Sequence, residues 1–229
     1  MIECASPEAA ARAASDFLAN AIQTGLTQRG EACIALSGGS TPGPAYRLLA
    51  QAPIDWPRVR FILVDERWLP PEQDGSNEKM LRATLAPALA AGARLDGMWR
   101  GAGSPHADAE ALESEAYGAP PLDAALMGMG ADGHTASWFP NAPELAAALD
   151  PHGSRRVIAI SAPGAAAANE RLSLTLPAIV AASAIALLIA GQDKIDALAR
   201  AQSGETVSPA PIAALLLQRP DLTIYGSRS

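Results

Sequence analysis

Three histidines, His106, His134 and His152, are the only residues whose ordinary titration could supply a base near neutral pH. His106 and His152 sit in polar, turn-rich stretches and read as surface residues. His134 differs, because it closes the run Gly128-Met-Gly-Ala-Asp-Gly-His134 directly after the apolar segment Leu122–Met127. Asp132, two residues before it, could orient the imidazole for general-base work. The same pair could in principle share a metal ion, but no metal is expected.

Three further clusters carry chemistry. Ser37-Gly-Gly-Ser-Thr-Pro42 has the make-up of an anion cradle. Gly38 and Gly39 let the backbone approach a ligand, and Ser40 or Thr41 can cap the helix that follows, with Pro42 in its first turn. The amides at that helix start would then face a phosphate. A serine nucleophile at Ser40, with Asp65 and His134 in the chain order of α/β-hydrolases, is the competing chemistry. That elbow requires glycine at position 42, where Pro42 stands. Asp65-Glu66-Arg67 sets two acids and a guanidinium beside one another. Gly191-Gln-Asp-Lys194 places one of the chain's two lysines, Lys79 being the other, at a helix start. A cation there opposes the helix dipole, a mismatch that an anion lying between them would relieve.

These clusters need a scaffold, and the apolar pattern supplies one. Ala32–Leu36, Val59–Val64, Leu122–Met127, Arg156–Ile160 and Ala184–Ala190 are continuous apolar runs, with weaker ones at Leu95–Trp99 and Leu222–Tyr225. Continuous runs suit strands covered on both faces. Between them the spacing predicts helices over Pro7–Gln28, Gly43–Gln51, Asn77–Ala90, His106–Tyr117, Leu172–Ala182, Asp193–Gln202 and Pro209–Leu217. Such alternation predicts an α/β fold: a doubly wound, mainly parallel sheet with helices on both faces. No internal repeat or linker divides the chain, so residues 1–229 are expected to form a single domain. The four clusters each follow a strand candidate, and parallel strands would deliver them to one carboxyl edge, where open α/β sheets bind ligands.

Composition narrows the partners. A net charge of −7 disfavours a nucleic-acid surface but not a small anionic substrate. No uninterrupted apolar stretch is long enough for a membrane span, and no basic-then-apolar leader is recognisable at the start. With two cysteines, Cys4 and Cys33, reduced thiols and a cytoplasmic location are expected.

Taken together, Ser37–Pro42, Asp65–Arg67, Ser76-Asn77, Gly128–His134 through Phe139-Pro140, and Arg171-Leu-Ser-Leu-Thr175 resemble the 6-phosphogluconolactonases, with matching order and gaps from about residue 30 to Lys194. The resemblance implies a Rossmann-like α/β fold and hydrolysis of 6-phospho-D-glucono-1,5-lactone, without an organic cofactor. It implies a small-molecule sugar-phosphate partner, and a monomer or weak dimer is expected. In this reading His134 is the base and Asp132 or Asp65 orients it. Gly38, Gly39, Ser40, Thr41 and Lys194 take the phosphate, with Arg67 or Arg171 as a further counter-charge. The related glucosamine-6-phosphate deaminases typically carry Tyr where this chain has Arg67. They also carry Glu where it has Phe139, so the acid used in ring opening is missing. A sugar-phosphate sensor is the non-enzymatic alternative; such regulators carry an N-terminal helix-turn-helix, and no basic segment precedes the first helix here.

Overall fold

The computed structural model describes residues 1–165, 167–204 and 210–228. The chain begins with a short strand, β1 (Ile2–Glu3), and a long helix, α1 (Pro7–Arg29). Ser6 caps α1 by accepting the Ala9 N–H at 3.2 Å, and Pro7 takes the first turn, where its missing N–H costs nothing. Ala10, Ala14, Leu18 and Ile22, four residues apart, form the buried stripe of this helix.

Next come β2 (Ala32–Leu36), α2 (Gly43–Leu49), a 3-10 turn at Trp56–Arg58, β3 (Val59–Leu63), β4 (Asp65–Arg67), α3 (Asn77–Thr84) and α4 (Ala86–Ala90). They are followed by β5 (Arg94–Asp96), α5 (Pro105–Ser114), β6 (Ala124–Met127), α6 (Leu145–Ala148), β7 (Val157–Ser161) and β8 (Glu170–Leu174). The rest comprises α7 (Leu176–Val180), β9 (Ala184–Ala190), α8 (Gln192–Ser203), α9 (Ile212–Gln218) and β10 (Thr223–Ser227). No described helix is long and apolar enough to cross a membrane.

Seven strands form an all-parallel sheet in the order β1-β10-β9-β6-β2-β3-β5. From β2 the chain winds outward through β3 to β5, then returns to β6 on the other side of β2 and winds on through β9 to β10. With right-handed crossovers, winding in two directions puts helices on both faces. The direction reverses between β2 and β6, and a crevice opens outside their carboxyl ends. Ile34, Leu36, Phe61, Leu63, Leu126, Leu187 and Ile189 are fully buried, which explains their uninterrupted apolar runs.

The structure adds a second sheet that the sequence pattern does not reveal. Strands β4, β8 and β7 pair antiparallel, with Asp65 opposite Ser173 and Arg67 opposite Arg171. Val64 joins the two sheets: its N–H reaches Leu36 O at 2.9 Å, and its carbonyl accepts the Leu174 N–H at 2.8 Å. The strand expected at Arg156–Ile160 thus lies in this small sheet, not the parallel one. The helix expected over Leu172–Ala182 is a strand to Leu174 and a helix only from Leu176, because Pro177 marks the helix start. The helix expected over Asn77–Ala90 breaks at Leu85, two residues before Pro87, whose missing N–H and ring prevent continuation. The expected helix His106–Tyr117 runs instead from Pro105, capped by Ser104, to Ser114, and Ala116 has a left-handed φ of 55°. Pro209, expected to open the last helix, lies outside the described residues.

Candidate active site

The clusters after β2, β6 and β9 leave the parallel sheet at its carboxyl edge, and β4 and β8 bring the antiparallel sheet beside them. They enclose a cleft of about 240 Å³. Gly38, Gly39, Ser40, Thr41, Asp65, Arg67, His134, Arg171 and Lys194 all line it. Asp132 does not line the cleft; it joins the site through His134.

The first turn differs in detail from its sequence reading. Helix α2 starts at Gly43 with Pro42 as its cap residue and no side-chain cap. Neither Ser40 nor Thr41 caps the helix, and both residues line the cleft. Glycine is required at position 38 because a Cβ there would lie 1.8 Å from Asn77 Oδ1.

His134 is held closely. Its Nδ1 lies 2.5 Å from Asp132 Oδ1, which also accepts the His134 main-chain N–H at 3.2 Å. This hydrogen bond from the imidazole is the main reason that the Asp132 carboxyl is held below its usual range. With Nδ1 engaged, Nε2 is the nitrogen left for a substrate or water. Gly130 backs onto the ring: a Cβ there would lie 2.3 Å from Cε1 and 2.4 Å from Nδ1. Phe139 stacks on the imidazole with ring centroids 4.4 Å apart.

Asp65 does not touch His134. Its Oδ2 accepts the Ser137 hydroxyl at 2.6 Å, and Asn77 Nδ2 donates to its carbonyl at 2.8 Å. Of the two carboxylates considered for the imidazole, geometry puts Asp132 there. Next to Asp65, the buried Glu66 accepts four donors: the amides of Arg67, Asn77 and Glu78 and the Ser76 hydroxyl, at 2.7–2.9 Å. Burial is the largest influence on Glu66 and raises its pKa; the four hydrogen bonds oppose it. Glu66 therefore fastens the start of α3 to β4 and fixes Asn77 and Arg67 together.

Arg67 and Arg171 stand directly opposite one another on β4 and β8, so both side chains leave the same face of the small sheet. Arg171 is buried, and burial is the main influence pushing its guanidinium below its usual range; Asp65 opposes that shift and the charge of Arg67 adds to it. Lys194 lies in the first turn of α8. Among the described residues, three buried polar atoms lack a hydrogen-bond partner: Ser37 Oγ, Arg67 Nε and Asn77 Oδ1. All three residues line this cleft. No group of three His, Cys, Asp or Glu side chains gathers as a metal-ligand set among the described residues.

Several contributors escaped sequence reasoning. Ser137 and Thr135, whose hydroxyl donates to Gly128 O at 2.7 Å, carry no spacing signal that marks them. Asn77 and Phe139 stand in the motifs quoted above, yet their contacts come only from folding.

This geometry matches a known group of proteins. Residues 5–224 fit the family model described as glucosamine-6-phosphate isomerases/6-phosphogluconolactonase. The chain is 37% identical over 214 residues to a 6-phosphogluconolactonase of Pseudomonas putida, covering 93% of this chain and 88% of that protein. It is 38% identical over 213 residues to the 6-phosphogluconolactonase of Rhizobium meliloti, covering 92% and 90%. The crystal structure of a 6-phosphogluconolactonase from Shewanella baltica superposes with a TM-score of 0.91 at 32% identity, over 98% of this chain and 96% of that one. The chain belongs to the glucosamine-6-phosphate isomerase/6-phosphogluconolactonase family.

Proposed function

We propose that this chain is a lactone hydrolase that converts 6-phospho-D-glucono-1,5-lactone to 6-phosphogluconate, as the names of its relatives suggest. The observation that carries the reading is the juxtaposition, in one cleft, of an Asp132-held imidazole with the cross-strand pair Arg67 and Arg171 and with Lys194. Like charges facing one another across a ladder are unfavourable, and an anionic ligand reverses that cost. The partnerless Arg67 Nε supports the same view, since buried donors are normally satisfied.

In the proposed mechanism the substrate phosphate lies on the Gly38–Thr41 turn and Lys194, and the arginine pair supplies the remaining positive charge. His134 Nε2 takes a proton from water as its oxygen attacks the lactone carbonyl. Asp132 keeps Nδ1 as the donor nitrogen and stabilises the imidazolium. Positive charge on the cleft wall stabilises the tetrahedral oxyanion. The carbon–oxygen bond of the ring then breaks, and the imidazolium returns its proton to the leaving ring oxygen.

The reading treats the chain as one sugar-phosphate hydrolase domain, supported by a family match that spans almost all of it. A cytoplasmic place fits two cysteines that form no disulfide. The test is acid release from freshly prepared 6-phosphogluconolactone above the spontaneous rate, with ammonia release from glucosamine 6-phosphate measured in parallel. Lactone hydrolysis alone is expected; ammonia release alone would overturn the assignment, and no activity on either would favour a sensor.

A further inference from the structure

Asp132 holds His134 only by its Nδ1 edge, and the outer torsion of a histidine is broad and poorly self-determined. A single hydrogen bond therefore leaves the plane of the ring underspecified. Gly130 bounds the space the imidazole can use, because the ring lies where a Cβ at that position would project. Phe139 supplies the missing constraint: its ring lies 4.4 Å from the imidazole centroid at an interplanar angle of 30°. The Arg171 guanidinium carbon lies 5.5 Å from the centroid of the same phenyl ring. One aromatic side chain thus touches both the proposed base and one of the cleft's cations.

We propose that Phe139 is a positioning residue for hydrolysis, setting the plane of His134 and the spacing between that imidazole and Arg171. The inference rests on the lactonase reading and deepens it. Base catalysis requires Nε2 within hydrogen-bond reach of the attacking water, and a displacement of about 1 Å can cost on the order of 10²-fold in rate. The ring face also receives positive charge favourably, so it accommodates both Arg171 and the imidazolium formed during turnover.

The experiment compares the wild-type chain with Phe139→Leu, which keeps apolar bulk without a π face, and Phe139→Tyr, which keeps the ring. In wild-type protein the Hε1 resonance of His134, one of three histidines, should carry an upfield ring-current shift. Phe139→Leu should abolish it, and Phe139→Tyr should retain it. On 6-phosphogluconolactone, Phe139→Leu should lower kcat about tenfold with little change in KM, and Phe139→Tyr should recover most of the loss. A normal kcat in Phe139→Leu, or an equal loss in the Leu and Tyr variants, would overturn the proposal. So would a His134 resonance that Phe139→Leu leaves unmoved. If the wild-type chain itself released no acid, the lactonase reading would fail instead, an outcome the spectrum separates from an absent stack.

Discussion

At the carboxyl edge of the parallel sheet the cleft is made of turns, whereas the antiparallel sheet beside it contributes side chains standing on paired strands. The turn side holds Ser37–Pro42, Asp132, His134 and Lys194, and its key groups keep contact with solvent: the side chains of His134 and Asp132 are 31% and 50% exposed. The strand side holds Asp65, Glu66 and Arg171, at 8%, 1% and 3% exposure. A group that must pass protons to and from a substrate has to be reachable, and three local contacts suffice to aim it. A charge that need only stand still can be buried, provided that a backbone ladder and a dense set of hydrogen bonds hold it. The two halves should therefore fail differently, the first in turnover and the second in folding.

The largest expected effect is on the turn side. His134→Ala should lower kcat by roughly 10²- to 10⁴-fold, the range for a positioned general base, while KM and the thermal midpoint stay close to wild type. Near-normal turnover would remove His134 from the chemistry and dissolve the contrast. Asp132→Asn should cost about 10- to 100-fold in kcat, corresponding to loss of one charge-assisted hydrogen bond. A fall in stability larger than the fall in kcat would place Asp132 on the structural side instead.

On the strand side the order reverses. Glu66→Gln replaces an acceptor-only carboxylate by an amide whose NH₂ must face donors, because all four groups bonded to Glu66 are donating. Stability should fall by about 1–3 kcal/mol, lowering the melting temperature by roughly 2–4 °C per kcal/mol, with a smaller loss of activity than Asp132→Asn. Calorimetry and steady-state kinetics on the same preparation would decide; unchanged melting would contradict the proposed fastening of α3 to β4.

The same division governs what the sequence discloses. Strands β2 and β9 are legible to the residue, because a continuous apolar run between turn residues has few other interpretations. The turns that carry His134 and Lys194 follow from those strands, as glycine and polar residues must gather where a buried strand ends. Strand β8 does carry a signal, the polar–apolar alternation Arg171-Leu-Ser-Leu-Thr175, but that alternation runs straight into the Pro177 helix and the boundary between them is blurred. Strand β4 is three residues of charge that pair only with β8, a partner far away in sequence. Likewise nothing in local spacing distinguishes Asp132 from Asp65 as partner of His134. That choice depends on Ser137, which folding brings to Asp65.

The smallest expected effect gives the finest comparison, because the two carboxylates respond to pH with opposite sign. Asp132 is held below its usual range by the His134 hydrogen bond, so the native state binds its proton less readily than the unfolded chain. Its contribution to stability is fully present above the unfolded value near ~3.9 and is lost as pH falls through the lower folded value. Glu66 is raised by burial, so the native state takes up its proton first. Its ionisation therefore reduces stability as pH rises from about 4.3, the unfolded value, through the higher folded one. Melting temperatures measured from pH 3 to 7 should show Asp132→Asn departing from wild type in slope only at the acid end, on the order of ~pH 4 and below. Glu66→Gln should instead remove a downward slope that wild type shows above that point. Identical slopes for wild type and Glu66→Gln in that window would mean that the four donors offset burial completely.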